Sequence, residues 1–355
     1  MTSFAPSVGS RDGCSAAADA VPVSVILVSF NTAGLLDQAI RAWVENTRVP
    51  MQLIVVDNAS TDGSVEMLRS NWPAAEVIQN PLNVGFARAC NQGIAAARGR
   101  YVLLLNSDTL VQDRAVDKMI DLLERNPALG AVGCQLVYPD GRSQASPCPL
   151  RNLWTLALRY AGDLIHWLQR ARAKAERMPR VACRLGATIS SHTNPARYLA
   201  TRAADGMVVL RPDEFISGAC YLVRRTIIGE IGGLDEHFFM YLEDAESTWR
   251  IRAAGNRVAF SPQATATHLV GGNSPTSYRR RSMTEPETVY STVYYFRKTK
   301  GIIHSLMAKV ILISYALGKL AISAVCRVAS LSERAHAPDK RLVRWLALIR
   351  ACVRA

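Results

Sequence analysis

The strongest constraint on the fold of this chain is a strand–helix alternation in its first third. Mainly apolar strand patterns at 23–29, 52–57, 76–79 and 101–105 are separated by helical patterns at 33–46, 64–70 and 86–97. Long apolar runs rich in branched residues are typical of buried parallel strands. The alternation therefore predicts an α/β fold, in which an open sheet is covered by helices on both faces.

The rest of the chain extends this pattern and then departs from it. A further helical pattern and three further strand patterns occur at 114–125, 131–138, 215–223 and 257–261. Residues 142–212 are less regular, and we interpret them as an insertion over the sheet. We predict a disordered lead at 1–20, one α/β domain at 21–285 and amphipathic helices in a tail at 286–355.

Positive charge is concentrated in this tail. The formal net charge is +13, and from Arg297 onward twelve basic side chains stand against two acidic ones. A basic segment can bind nucleic acid, an anionic membrane surface or an anionic substrate. Because the tail is rich in apolar residues and lacks interleaved aromatic and basic residues, we expect an anionic membrane surface and no nucleic acid.

Cysteine usage indicates a reducing compartment. None of the eight cysteines forms a C-x-x-C pair, which argues against a zinc knuckle. The first twenty residues are small and polar, without the apolar stretch of a signal peptide. We therefore expect the α/β domain to be cytoplasmic, with free thiols.

Acidic side chains stand where two of the predicted strands end. Asp57 closes the second strand pattern, and Asp108 follows the fourth. Ligands of open α/β sheets bind at the carboxyl ends of the strands, although a single aspartate there is more often a turn or helix cap. A pair of such sites suits a nucleotide diphosphate with Mg²⁺ or Mn²⁺, which bridge phosphates with one or two carboxylates.

Two further candidates lie near the end of the α/β domain. An aromatic run delivers Glu243 and Asp244 to the start of a helix that also carries Glu246. A carboxylate at a helix N-terminus is stabilised as the anion, so it is either a cap or a general base. His268 follows the strand pattern at 257–261 and is either a structural hydrogen-bonding residue or a metal ligand.

Seven segments in order resemble the inverting glycosyltransferases of family 2, which have the GT-A fold. The segments are VILVSFN at 25–31, IVVDNASTDGS at 54–64, NPLNVGF at 80–86, LNSD at 105–108, FISGA at 215–219, GLDEHFFMYLED at 233–244 and His268. The similarity covers about residues 21–274 and is greatest to bacterial rhamnosyltransferases of cell-surface polysaccharide synthesis. It implies a mixed, Rossmann-like sheet and transfer from a nucleotide-diphospho-sugar to a glycan or lipid-linked acceptor.

The resemblance also implies a role for individual residues. The nucleotide-sugar would contact nine of them: Ser29, Asn31, Asp57, Asn83, Gly85, Arg88, Asn106, Ser107 and Asp108. Asp108 is the last position of the family's Asp-x-Asp motif and would bind the divalent metal with His268. The first position of that motif is Asn106, so one charged ligand is missing. Asp244 matches the catalytic base, and the acceptor would lie near Gly218, Glu243 and Glu246, where relatives often carry aspartate in place of Glu246.

Alternatives to a rhamnosyltransferase remain open from the sequence. The same motifs would serve a UDP- or GDP-linked donor such as galactofuranose, glucose or N-acetylglucosamine. A nucleotidyltransferase would carry a basic, glycine-rich loop after the first strand, and residues 29–34 contain no lysine or arginine. A non-catalytic, membrane-associated binding protein is disfavoured because Asp57, Asp108, Asp244 and His268 are all present.

The tail permits three arrangements: an interfacial helix, a membrane span or a packed helix. The apolar segment 302–329 is interrupted by Lys309 and Lys319. A span needs about 20 apolar residues with few charges, so an interfacial helix whose lysines meet anionic lipid fits better. We therefore expect peripheral association with the inner face of the plasma membrane.

Overall fold

The computed structural model describes residues 22–144, 146–150, 152–175, 206–269, 286–329 and 340–355. The predicted disordered lead lies outside these residues, as does 176–205 of the predicted insertion. The strands are β1 Val23–Ser29, β2 Met51–Asp57, β3 Glu76–Gln79, β4 Tyr101–Asn106, β5 Thr109–Gln112, β6 Leu129–Val137, β7 Cys148–Pro149, β8 Val208–Val209, β9 Glu214–Phe215, β10 Cys220–Arg224 and β11 Arg257–His268. The helices are α1 Ala33–Glu45, α2 Ser64–Asn71, α3 Phe86–Ala96, α4 Ala115–Arg125, α5 Leu153–Ala175, α6 Arg225–Glu230, α7 Glu243–Ala253, α8 Pro286–Lys300, α9 Ile302–Ala329 and α10 Lys340–Arg354.

A mixed sheet forms the centre of the molecule. Its strand order is β3-β2-β1-β4-β10-β6-β11-β5, and β8 pairs with β11 at one side. β1 to β4 are parallel, whereas β10 runs antiparallel to both β4 and β6. β11 is parallel to β6 and antiparallel to β5. This confirms the predicted mixed α/β sheet.

Alternate side chains of the strands form an apolar core on each face of the sheet. Val23, Val25 and Leu27 of β1 point to a core that includes residues of α1 and α4. Ile26, between them, points to a second core shared with α3, α6 and α7. Because side chains alternate along a strand, a run that is apolar throughout requires a cover on both faces, as the sequence predicted.

Two elements of the sheet differ from their sequence-based description. β11 continues to His268, seven residues beyond the predicted end at Ser261. β5 was not predicted, because it follows the turn at Asp108 directly and pairs only with the distant β11. His268 therefore ends a strand that is paired on both sides, rather than standing in a loop after one.

Helix α5 of the predicted insertion and the described helices of the tail form one helical unit. Leu156 and Tyr160 of α5 pack with residues of α8, α9 and α10 in a third apolar cluster. This corrects the predicted position of α5, which lies against the tail rather than over the sheet. Lys319 is also not available to lipid as predicted: it is 3% exposed, and its Nζ lies 2.6 Å from Asp163 Oδ2 of α5.

One helical segment in the described part of the chain has the dimensions of a membrane span. Residues Ile302–Ile322 of α9 meet the requirements of length and composition, although 33% of the most apolar window is buried against protein. By length and mean hydropathy, this segment therefore meets the requirement of a span despite Lys309 and Lys319.

Candidate active site

The first predicted site residues meet at one edge of the sheet because their strands are in register. Ser29 lies beside Asp57, and Val28 lies beside Asn106. The carboxyl ends of β1, β2 and β4 therefore open at the same edge, where ligands of α/β sheets bind. Asp108 follows in the turn between β4 and β5.

Asp57 combines one anchored carboxylate oxygen with one that has no protein partner. Its Oδ2 accepts a hydrogen bond from the Ser60 N–H at 2.9 Å, and the residue is 2% exposed. Among the described residues, Oδ1 is buried without a hydrogen-bond partner. A buried acceptor without a partner is costly, and a ligand that donates an N–H or O–H would satisfy it.

Asn31 joins the loops that follow β1 and β2. Its backbone is left-handed, with a φ of 54°, and its Oδ1 accepts from the Thr61 N–H at 2.8 Å. The Asn31 N–H in turn donates to Ser60 Oγ at 2.9 Å. The side chain of Ser29 is fully buried, and its Oγ lies 3.1 Å from Thr32 Oγ1. The Thr32 hydroxyl in turn donates to Ser107 Oγ. These hydroxyl groups thus connect the end of β1 and the loop after it to the turn after β4.

The start of α3 is held against the loop that leads to Asp244. Asn83 Oδ1 accepts from the Gly85 N–H at 3.0 Å, and the Phe86 N–H donates to the Phe239 carbonyl at 2.7 Å. Gly85 has a φ of +89°, and a Cβ there would stand 2.7 Å from that carbonyl oxygen. Arg88 extends into solvent beside Glu236, with 61% of its side chain exposed and a charge separation of 3.8 Å.

Asp108 and His268 come together because β5 pairs with β11. His268 is opposite Thr109, and the Leu269 N–H donates to the Asp108 carbonyl at 2.8 Å. His268 Nε2 then lies 3.3 Å from Asp108 Oδ1. Neighbouring ligands of an octahedral Mg²⁺ or Mn²⁺ are about 3 Å apart, so the two atoms fit one ion. The described residues contain no group of three His, Cys, Asp or Glu side chains suited to a metal, so further ligands would come from diphosphate or water.

Gln144 contacts His268 from the side opposite Asp108, a feature that the sequence did not indicate. Gln144 Oε1 lies 3.0 Å from His268 Nδ1, and its Nε2 donates to the His268 carbonyl at 2.9 Å. Gln144 is 9% exposed and follows the hairpin turn after β6. The imidazole is therefore fixed on both of its nitrogen atoms.

Asp244 stands in the first turn of α7 and is held by backbone amides. Its Oδ2 accepts from the Gly218 N–H at 2.8 Å and its Oδ1 from the Ala245 N–H at 2.7 Å. The helix N-terminus and these donors stabilise the carboxylate as an anion. The Asn106 N–H donates to the Ala219 carbonyl at 3.1 Å, so the residue after Gly218 links Asp244 to the strand that leads to Asp108.

Two neighbours of Asp244 have raised pKa values. Burial raises the pKa of Glu243 well above its usual range, and the negative charge of Asp244 adds to this effect. Burial likewise raises the pKa of Cys148 to about 12, with Asp244 again contributing. Glu243 is 5% exposed, so it offers the acceptor no open carboxylate of the kind that the sequence predicts.

Glu246 has protein partners in place of the predicted acceptor contact. Its side chain is fully buried, and Arg250 binds both carboxylate oxygens, with Nε at 2.8 and 2.9 Å. Lys298 of α8 lies 2.7 Å from Glu246 Oε1 and 2.5 Å from Asp235 Oδ2. These contacts give Glu246 a structural role between α7 and the tail, and the sequence did not indicate that role.

Comparisons with known proteins show which proteins the chain is similar to. Residues 24–180 match the family described as "Glycosyl transferase family 2". An N-acetylglucosaminyl-diphospho-decaprenol L-rhamnosyltransferase of Mycobacterium tuberculosis is 25% identical over 261 residues, which are 70% of this chain and 76% of that protein. The O-antigen biosynthesis protein RfbC of Myxococcus xanthus is 26% identical over 278 residues, which are 77% of this chain and 19% of that protein.

The fold has a counterpart among solved structures. The mannosyltransferase PcManGT of Pyrobaculum calidifontis, solved in complex with GDP-Man and Mn²⁺, has a TM-score of 0.51 and 17% identity, covering 95% of this chain and 89% of that one. The fold is that of the GT-A glycosyltransferases, and the matched family model indicates a glycosyltransferase. Residues 24–180 are thus similar to glycosyltransferase family 2, and the chain as a whole is similar to a mycobacterial L-rhamnosyltransferase.

Proposed function

We propose that this enzyme inverts the anomeric carbon of its sugar in a single displacement, with Asp244 as the general base. Asp244 accepts the proton of an acceptor hydroxyl, whose oxygen forms the new bond to the anomeric carbon. The bond to the diphosphate breaks on the opposite face, and the nucleoside diphosphate leaves with the electron pair. The observation that carries this proposal is the amide-held, partly exposed carboxylate of Asp244, connected through Gly218 and Ala219 to the strand of Asp108.

The proposed metal ligands are Asp108 and His268. When bound there, Mg²⁺ or Mn²⁺ supplies positive charge that stabilises the departing diphosphate. The separation of 3.3 Å between the two ligand atoms supports this role, as does the Mn²⁺ complex of the similar mannosyltransferase. Because Asn106 stands beside Asp108 in place of a second carboxylate, we expect metal binding to depend on the nucleotide's own phosphates.

The donor that we propose is dTDP-L-rhamnose. The similarity to the mycobacterial L-rhamnosyltransferase supports this choice. Asp57 supports a nucleotide whose base donates a hydrogen bond, because its buried Oδ1 has no partner among the described residues. The alternative donors are UDP- and GDP-sugars, which a binding screen with Mn²⁺ would separate from dTDP-rhamnose.

The acceptor that we propose is a glycan or a lipid-linked sugar at the cytoplasmic membrane surface. The names of the mycobacterial relative and of the O-antigen protein support acceptors of this class. The exposed face of α9 supports membrane contact, because it carries Ile303, Met307, Val310 and Leu317, each more than half exposed. These four residues, spaced by three, four or seven positions, are called the exposed α9 face below.

Replacement of Asp244 by asparagine tests the proposed mechanism. Asp244→Asn keeps the size of the side chain but cannot accept the acceptor proton, so we expect transfer to fall at least about 100-fold. Donor binding, measured by calorimetry with dTDP-rhamnose and Mn²⁺, should remain. Asp121→Asn on the exposed side of α4 is the matched control. An Asp244→Asn enzyme that transfers sugar at the normal rate would contradict the assignment.

A further inference from the structure

The side chain of Gln144 reaches His268 with both of its amide atoms. Oε1 lies 3.0 Å from His268 Nδ1, and Nε2 lies 2.9 Å from the His268 carbonyl oxygen. Nε2 also lies 3.5 Å from the Val137 carbonyl oxygen. Gln144 is 9% exposed, so protein groups rather than solvent determine how its amide is turned.

The two carbonyl oxygens decide this orientation. A carbonyl oxygen only accepts hydrogen bonds, so the amide end that faces His268 and Val137 must be the NH₂ group. The reversed amide would place its oxygen against both carbonyl oxygens and lose the two donors. Oε1 must therefore face His268 Nδ1, and it can only accept there.

The orientation of Gln144 in turn fixes the proton of the imidazole. Because Oε1 accepts, Nδ1 must carry the hydrogen, and the lone pair of the neutral ring is on Nε2. Nε2 is the atom that lies 3.3 Å from Asp108 Oδ1, at the proposed metal site. A metal binds the imidazole through a lone pair, and the partner of the other ring nitrogen determines which nitrogen offers it.

We propose that Gln144 is a positioning residue that holds His268 in the Nδ1–H tautomer, with Nε2 ready for the divalent metal. This inference rests on the metal site of the proposed function. Gln144 touches neither sugar nor phosphate in this role, and it acts through His268 alone. Contacts of this kind change metal affinity by roughly 10- to 100-fold when removed.

The first test measures the tautomer in the full-length protein without any metal. Nitrogen-15 NMR of histidine-labelled enzyme distinguishes the two ring nitrogens, and a His268→Gln variant identifies the signal among the six histidines. At a pH where the ring is neutral, we expect a protonated Nδ1 and an unprotonated Nε2. A neutral ring that carries its hydrogen on Nε2 would overturn the inference, whatever the outcome of any substitution.

The second test measures Mn²⁺ binding by electron paramagnetic resonance in the presence of dTDP. Gln144→Leu should bind Mn²⁺ about 10- to 100-fold more weakly than the parent enzyme. Gln144→Glu retains an acceptor for Nδ1–H but turns its second oxygen toward the carbonyl oxygens of His268 and Val137, so it should keep the tautomer and lose less affinity than Gln144→Leu. If Gln144 only braced the strand, the two variants would lose affinity equally, which would overturn the proposal.

Gln112→Leu is the matched control, because Gln112 donates to Thr267 Oγ1 at 2.8 Å, one residue before His268. It should leave both the tautomer and Mn²⁺ affinity unchanged. Normal Mn²⁺ binding by a folded Gln144→Leu enzyme overturns this inference alone. Failure of the parent enzyme to bind Mn²⁺ with dTDP overturns the proposed metal site and this inference with it.

Discussion

Gly85 shows how a single residue sets the shape of the site. Its φ of +89° lies in a region that side chains rarely adopt, and a Cβ would stand 2.7 Å from the Phe239 carbonyl oxygen. The same oxygen accepts from the Phe86 N–H, so the close approach of the two segments depends on the missing side chain. The start of α3 and the loop before Asp244 are therefore fixed together at this one contact.

Replacement of Gly85 by alanine should disturb both segments. We expect Gly85→Ala to lower the free energy of unfolding by roughly 1–3 kcal/mol, the cost of a strained backbone conformation. Denaturant unfolding measures this change, and Gly34→Ala is the matched control. Gly34 has no atom within 4 Å of its Cβ position, and alanine favours its helix, so that variant should be at least as stable as the parent. Equal stability of the two variants would contradict the packing argument.

Glu243 provides a pH-dependent prediction at the same scale. Burial, with the charge of Asp244, raises its folded-state pKa above the unfolded value, so the folded protein holds a proton that the unfolded chain releases. Its contribution to stability is present below the unfolded pKa of about 4.3 and is lost as pH rises toward the folded pKa. Glu243→Gln removes this loss, because glutamine does not titrate.

Denaturant midpoints measured at several pH values test this sign. Relative to the parent, Glu243→Gln should gain stability steadily as the pH rises from about 4 to about 7. Glu45→Gln, at the exposed end of α1, should differ from the parent by the same small amount throughout. A constant difference for Glu243→Gln would show that this carboxyl ionises alike in both states.

Individual elements show which parts of the fold could be predicted from the sequence. β1, β2 and β4 were predicted because a strand buried on both faces is apolar throughout, a property that the local sequence records. β5 was missed because its four residues have a partner only in the distant β11. Local pattern does not encode which strand a short segment will meet.

The same distinction between local pattern and long-range contact explains which roles in the candidate site could be predicted. Asp108 and Asp244 could be proposed as site residues from the sequence because each stands in a motif with its own local context. Gln144 lies 124 positions from His268, and no feature of its neighbours indicates that contact. Glu246 was placed correctly on its helix, but its partner Lys298 comes from α8. Roles that depend on the packing of one element against another required the structure.

Lys298 connects α7, the helix that carries the proposed base Asp244, to the tail. Its Nζ contacts Asp235 and the fully buried Glu246, and its side chain is 31% exposed. Burial opposes ionisation of Asp235, but hydrogen bonds from Lys298 and from His237 outweigh it, so the pKa of this carboxyl falls below its usual range. Asp235 is therefore an anion, and Lys298 of α8 brings its positive charge to both carboxyl groups.

Removal of this cation should loosen α7 without removing a residue of the site. We expect Lys298→Met to lower the free energy of unfolding by roughly 1–3 kcal/mol, less than a complete loss of pairing because Arg250 still binds Glu246. Denaturant unfolding and the rate of sugar transfer measure the two effects. Lys300→Met, at the exposed end of the same helix, should change stability by no more than about 0.5 kcal/mol. Equal effects of both substitutions would contradict the proposed connection.

At the scale of the whole molecule, the described helical unit presents an apolar surface beside a basic one. α5, α8 and α10 bury one side of α9, and the exposed α9 face remains uncovered within the described residues. Exposed basic side chains occur at Arg297, Lys300, Arg350 and Arg354 of the adjoining helices. An apolar face bordered by positive charge suits the surface of an anionic membrane.

The buried partners of α9 determine how this membrane contact can be tested. Leu312 and Tyr315 belong to the apolar cluster with α5, and Lys319 is paired with Asp163. Deletion of the tail would uncover this cluster and leave Asp163 without its cation, so loss of membrane binding could then reflect misfolding. Substitution on the exposed α9 face leaves these contacts in place, and each charge introduced there meets only solvent or lipid.

We expect a Met307→Asp, Val310→Asp enzyme to bind phosphatidylglycerol vesicles at least about 10-fold more weakly, because two large apolar side chains no longer enter the interface. Vesicle sedimentation measures the binding, and Val44→Asp, at another exposed valine, is the matched control. Binding by the parent should weaken in neutral phosphatidylcholine vesicles and in high salt, as the basic border requires. Salt-resistant binding that survives carbonate extraction would instead indicate a membrane-spanning α9, whereas unchanged binding by the double variant would place the contact elsewhere on the protein.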